Sequence, residues 1–171
     1  YESKKVAERI NFDLEAGMLC GVVGINGIGK STLLRTLGGF QPKLDGNIRL
    51  KDQNLEKYTS SDLSKELSVV LTEQPASKNL TVQELIALGR QPYTNWLGTL
   101  TKQDKQQIEA SLDAFLLKDL RHRKCHQLSD GQLQRVLVAR AMAQDTSLIL
   151  LDEPTTHLDL YHKVQILKML Q

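Results

Sequence analysis

The chain has 171 residues, 25% of them charged and 40% hydrophobic, with a formal net charge of +2. That length suits one domain with a real core, and so small a charge gives no electrostatic case for nucleic acid or an anionic membrane surface. No apolar run approaches the ~20 residues of a membrane span, and two cysteines make no disulfide framework.

The N-terminal YESKKVAERI lacks the apolar region of a signal peptide, so the expected setting is cytosolic and reduced. Ile10, Phe12 and Leu14 alternate as in a strand, a turn follows at Ala16-Gly17, and Leu19–Val23 reads as a short buried strand that hides Cys20. From Lys30, STLLRTLGGF predicts a helix ended by Gly38-Gly39 and Pro42. GNIRL (46–50) and LSVVL (67–71) predict further strands. The character then changes. TVQELIALG and TKQDKQQIEASLDAFLL have helical periodicity, each opened by a threonine with an acid three residues on, and RQPYTNWLG between them reads as a loop. SLILLD returns to a buried strand, and LDLYHKVQILKMLQ closes the chain as a helix with Leu160, Val164 and Leu167 on its apolar face. The predicted organisation is one domain, 1–171, with an α/β core from 1–74 and 145–171 and a helical subdomain from 75–144.

Three stretches carry chemistry. GINGIGKST, between a predicted strand and a predicted helix, satisfies G-x-x-x-x-G-K-[ST] through Gly24, Gly29, Lys30 and Ser31. Its glycines let backbone N–H groups turn inward around a phosphate, and the helix dipole faces the same anion. Lys30 supplies a compact charge for the terminal phosphates and the Ser31 hydroxyl a ligand for Mg²⁺. In SLILLDEP, a hydrophobic strand delivers Asp152 as a second metal ligand, and Glu153 follows as a candidate general base for an attacking water. Taken alone, these acids also suit a solvated strand end. In LSDGQLQR, Ser129 and Gln132 fit a capping box, which needs no function beyond starting a helix. His122, Cys125 and His126 lack a second paired cluster, so RHRKCH reads as a solvated connection rather than a metal site.

Together these stretches resemble the ATP-binding cassette (ABC) family over essentially the whole chain. GINGIGKST resembles its Walker A, LSDGQ its LSGGQ signature, LILLDEP its Walker B and THLD its D-loop, in the family's order. The resemblance implies a P-loop NTPase (RecA-like) α/β core with an N-terminal β-rich part and an inserted α-helical subdomain. It implies that Gly24, Ile25, Asn26, Gly27, Ile28, Gly29, Lys30, Ser31 and Thr32 hold ATP with Mg²⁺. It also implies that Ser129, Asp130, Gly131 and Gln132 cap a nucleotide bound by a second, identical subunit. Asp130 departs from the signature's usual glycine and brings a negative charge near a polyphosphate. Tyr1, sixteen residues before Gly17, matches the family's adenine-stacking aromatic, the preferred reading over a frayed terminal residue. Gln74 is the preferred Q-loop metal residue, with Glu73 the alternative, and Asp159 belongs to the D-loop.

LGRQPY and LDEPTTHLDL further resemble the ATPases of iron–siderophore, haem and cobalamin importers. That likeness implies a peripheral position on the cytoplasmic face of the membrane, integral-membrane permease partners and, indirectly, a periplasmic or lipoprotein solute-binding protein. It implies no nucleic acid. Tyr93, Trp96 and Leu97 are candidates for permease contact, with packing inside the insert the equal alternative. A soluble family ATPase acting on ribosomes or DNA is the rival class. The family's switch histidine lies well beyond the Walker B glutamate, and the chain ends eighteen residues after Glu153. The expectation is therefore a cassette truncated at its C-terminus that hydrolyses ATP poorly.

Overall fold

The computed structural model describes residues 9–71, 79–155, 158 and 160–170. Tyr1, Glu73, Gln74, His157 and Asp159 lie outside them.

The first helix, α1 (Lys30–Leu37), ends as the Gly38-Gly39 pair predicts. Gly39 takes φ 74°, Phe40 N–H donates to Arg35 O at 2.9 Å and Gly39 N–H to Thr36 O at 3.1 Å. This is the paired closure that a left-handed residue after a helix allows. A two-residue hairpin follows, β1 (Arg49–Leu50) antiparallel to β2 (Gln53–Asn54). Next come α2 (Ser60–Glu66) and β3 (Leu67–Val70), then three helices, α3 (Val82–Ala87), α4 (Lys102–Ala114) and α5 (Asp130–Ala143). Strand β4 (Leu148–Leu151) and helix α6 (Leu160–Met169) complete the order.

Local chemistry sets where the three middle helices begin. Thr81 with Glu84, Thr101 with Asp104 and Ser129 with Gln132 each form a reciprocal capping box, which satisfies two otherwise orphaned donors per helix. Their apolar faces then meet. Val82, Leu85 and Ile86 of α3, Ile108 and Leu112 of α4, Phe115, Leu117, and Val136–Ala139 of α5 form one buried cluster with Val70 of β3. At roughly 1.5–3 kcal/mol for each large apolar side chain removed from water, this cluster is the principal cohesive term. Strand β3 lies parallel to β4, Leu67 opposite Leu148 through Val70 opposite Leu151. A parallel pair of this kind requires a long crossover, and the helical insert is that crossover.

Three expectations need correction. Residues 10–23 carry no strand, although the turn at Ala16-Gly17 forms, with Gly17 at φ 81°. A strand needs a ladder partner for its backbone groups, and none is present among the described residues. The side chains predicted to be buried there are exposed accordingly, Leu19 at 59% and Val23 at 98%, and Cys20 is exposed with them. Among the described side chains of α6 Ile166 is buried, with Met169 and the following Leu170 partly packed on the core, while Leu160, Val164 and Leu167 face outward. Apolar periodicity identified the helix but not which of its two apolar stripes the core would take. Finally, the loop RQPYTNWLG begins inside a 3₁₀ turn, Leu88–Tyr93.

Candidate functional site

The phosphate loop is shaped by two left-handed glycines. Gly27 sits at φ 78° and Gly29 at φ 110°, where it forms the N-cap of α1. Side chains rarely adopt these angles. Because Gly29 has no side chain to cap α1, and the first turn contains no acid, the helix presents its orphan N–H groups and positive dipole end unopposed. Gly24 lies close to Ile28, whose Cγ2 a Cβ at Gly24 would approach to 3.1 Å. Ile25 and Ile28 expose their side chains outside the loop, and Asn26 is exposed between them. Lys30 Nζ donates to Gly24 O at 2.9 Å and Ile25 O at 3.1 Å, so its ammonium is folded back over the loop. Thr32 accepts from Thr36 Oγ1 through its carbonyl at 2.8 Å.

The link from this loop to the acidic strand end is direct. Ser31 Oγ donates to Asp152 Oδ1 at 2.9 Å across 121 positions of sequence. Asp152 is 2% exposed and its N–H extends the β3–β4 ladder by donating to Val70 O at 2.8 Å. Its backbone is thus held by the sheet, and its carboxylate accepts from Ser31. Ser31 and Asp152 together offer hard oxygen donors, the set Mg²⁺ prefers, so the residues present fit that ion. Glu153 follows, exposed and with φ 49°. The left-handed backbone turns the chain out of the strand at the residue where the candidate base stands.

Ser129 and Gln132 bond to each other. Ser129 Oγ accepts the Gln132 N–H at 3.3 Å, and Gln132 Oε1 accepts the Ser129 N–H at 3.0 Å. Ser129 and Asp130 are exposed and Gly131 is buried. Among the described residues no hydrogen bond joins Ser129–Gln132 to Gly24–Thr32 of the same chain.

One polar cluster escaped the sequence reading. Arg90, 2% exposed, donates through Nε to Asp104 Oδ1 at 2.8 Å and through Nη1 to the carbonyls of Ala143 at 2.9 Å and Gln144 at 3.2 Å. Its guanidinium stacks 3.9 Å above the Tyr93 ring. Burial opposes the charge on Asp104, but the Thr101 hydroxyl and amide, with Arg90, outweigh it and hold the carboxyl below its ordinary range. Next to it, a Cβ on Gly89 would lie 2.2 Å from Arg140 O, so only glycine lets this turn lie against α5. LGRQPY is thus a clasp between the 3₁₀ turn, the start of α4 and the end of α5. The one available signal was an arginine directly after the apolar run LIALG. Tyr93 belongs to this clasp, its hydroxyl 3.4 Å from the Lys65 and Asp145 carbonyls. Trp96 and Leu97 are 91% and 66% exposed. Cys125 is core, 3% exposed, with burial pushing its thiol up.

A left-handed glycine loop, an uncapped helix and a sheet-held aspartate define a P-loop nucleotide-binding domain. Residues 7–156 match the ABC transporter family, and the chain belongs to it. It is 38% identical over 170 residues to a probable siderophore transport system ATP-binding protein of Bacillus subtilis strain 168, covering 99% of this chain and 62% of that protein. To the iron(3+)-hydroxamate import ATP-binding protein of the same organism it is 35% identical, covering 99% of this chain and 63% of the other. Among solved structures, a metal-chelate type ABC transporter in an inward-facing conformation superposes with TM-score 0.80 at 34% identity, over 94% of this chain and 59% of that one. A dimeric, post-hydrolysis ATP-binding cassette bound to ADP and Pi gives TM-score 0.68 at 26% identity, over 83% and 63%. The chain therefore spans less than two thirds of the length of these relatives.

Proposed function

We propose that this chain is the ATP-binding and ATP-hydrolysing part of an importer for an iron–siderophore, haem or cobalamin-type complex. The observation that carries the reading is the Ser31–Asp152 hydrogen bond, which sets the phosphate loop beside the acidic end of β4. In this reading the backbone of Gly24–Thr32 and the Lys30 ammonium bind the triphosphate of ATP. Ser31 and Asp152, with Gln74 from the Q-loop, hold Mg²⁺, which neutralises charge on the terminal phosphates when bound. Glu153 accepts a proton from the attacking water, whose oxygen joins the γ-phosphorus as the bond to ADP breaks. Tyr1 stacks on the adenine. Ser129, Gly131 and the start of α5 cap the nucleotide held by a second copy, and Asp159 lies in the D-loop between the two. The α/β parts 1–74 and 145–171 form the nucleotide half, and 75–144 passes the change to a membrane permease. The protein then works at the cytoplasmic face of the membrane and never touches the cargo, which a solute-binding protein delivers. The likeness to siderophore transport and iron(3+)-hydroxamate import proteins supports this cargo class.

Two substitutions test the assignment together in the intact protein. Lys30→Ala weakens ATP binding by about tenfold to a hundredfold, the worth of a charge-assisted contact. Glu153→Gln leaves binding in place and lowers turnover by ~10²-fold or more. Equal ATP affinity for Lys30→Ala in a calorimetric titration, or undiminished turnover for Glu153→Gln, removes the corresponding role.

A further inference from the structure

Local chemistry accounts for three of the four residues Ser129–Gln132. Ser129 and Gln132 satisfy each other's backbone donors, and Gly131 is buried. Asp130 is the remainder. It is exposed, opens α5 and makes no hydrogen bond or ion pair among the described residues. Its carboxylate suits its own helix, since an acid in the first turn interacts favourably with the dipole. It has the opposite effect on any anion bound there. With the Gln132 N–H already given to Ser129 Oγ, the donors left at this helix start are the N–H groups of Asp130 and Gly131 and the Ser129 hydroxyl proton. An anion using them must approach within a few ångströms of the Asp130 side chain.

We propose that Asp130 is a charge brake on nucleotide-driven pairing: its carboxylate repels the polyphosphate that the start of α5 caps on the second copy, and so weakens the closed pair. This rests on the reading that Ser129–Gln132 meet the partner's nucleotide. The cap binds through backbone and hydroxyl donors, while the one charged side chain in it acts against binding. Closure is therefore shallower than the donor set alone would give, and reopening after hydrolysis is easier. Both copies contribute an Asp130, so the effect enters twice per pair.

The test measures self-association of the intact protein by sedimentation velocity, with adenylyl imidodiphosphate and Mg²⁺ as the closing nucleotide. Asp130→Asn keeps the shape and removes the charge; Asp130→Glu keeps the charge. At low ionic strength Asp130→Asn tightens pairing by about a hundredfold, and by only a few-fold in 1 M salt, where screening is nearly complete. Asp130→Glu pairs as the wild type does, which separates charge from shape. Circular dichroism confirms that each variant keeps its helix content. If nucleotide drives pairing but Asp130→Asn pairs equally or more weakly at low salt, the brake is wrong and the capping reading stands. If nucleotide binds but neither wild type nor variant pairs, both are overturned.

Discussion

At the scale of single residues, the buried Arg90 is a position whose removal is costly. Its guanidinium satisfies Asp104 and two backbone carbonyls at the end of α5. Arg90→Ala leaves a carboxylate, 2% exposed on its side chain, facing the space the cation filled. Breaking a buried pair from one side costs about 3–5 kcal/mol, a large fraction of the stability of a domain this size. Denaturant unfolding of Arg90→Ala measures that loss, and a change under about 1 kcal/mol would show the clasp to be ornamental. The pH dependence has a definite sign. The Asp104 carboxyl is held below its unfolded value, so its contribution is fully present above that value and is lost as pH falls through the folded one. Asp104→Asn therefore flattens the acid limb of the stability curve. The pairing of Arg90 with Asp104 was not legible beforehand, because an arginine at the end of an apolar run does not name its partner. The phosphate loop was legible for the converse reason. Gly27 and Gly29 shape the loop through their own backbone angles, and Lys30 folds onto Gly24 and Ile25 close by, so spacing alone carries the information.

At the scale of elements, α5 is held at both ends by different means. Its N-terminus is closed by the Ser129–Gln132 box, and its C-terminus by Arg90 and by Gln144, whose amide donates to Ser64 O at 2.6 Å and Leu67 O at 3.0 Å. Between them Val136, Leu137, Val138 and Ala139 are all buried, as expected of a helix enclosed on every side. Sequence reading left Ser129 with two roles, helix cap and phosphate contact, and one pair of substitutions separates them. Ser129→Ala removes the cap and costs about 1 kcal/mol of stability. Ser129→Asp caps as well as serine does, so thermal unfolding stays near wild type, yet it places a second carboxylate beside Asp130. If the residue contacts phosphate, nucleotide-driven pairing is lost in Ser129→Asp while stability is kept. Retention of both properties assigns Ser129 to capping alone. Capping boxes were predictable at Thr81 and Thr101 because their signal spans four residues. The outward turn of Leu160, Val164 and Leu167 was not, since Ile166 and Met169 of α6, continued by Leu170, offer a rival stripe, and only tertiary packing chooses between them.

At the scale of the whole molecule, the helical insert joins two features that the chain keeps apart. One is the start of α5, and the other is the turn 94–98, which carries Trp96 at 91% exposure. The turn is not loose, because Asn95 Oδ1 accepts the N–H groups of Leu97 at 3.1 Å and Thr99 at 3.0 Å. Tyr93 anchors its near end to Arg90, and Arg90 anchors to the end of α5. Trp96 and Leu97 are therefore tied to the end of α5 through packed, hydrogen-bonded groups. Large exposed aromatics rimmed by ordered polar groups suit a partner surface. Of the three residues named for permease contact, Tyr93 is committed to the clasp, while Trp96 and Leu97 are available to a partner. Trp96 is also the one tryptophan in the sequence, which makes the docking reading directly measurable. In the isolated protein its emission is that of a solvated indole and is readily quenched by iodide. On reconstitution with a tryptophan-free permease, docking buries the ring, shifts the emission to the blue and protects it from iodide. Unchanged emission and quenching in a complex that does form would place the permease contact elsewhere on the insert.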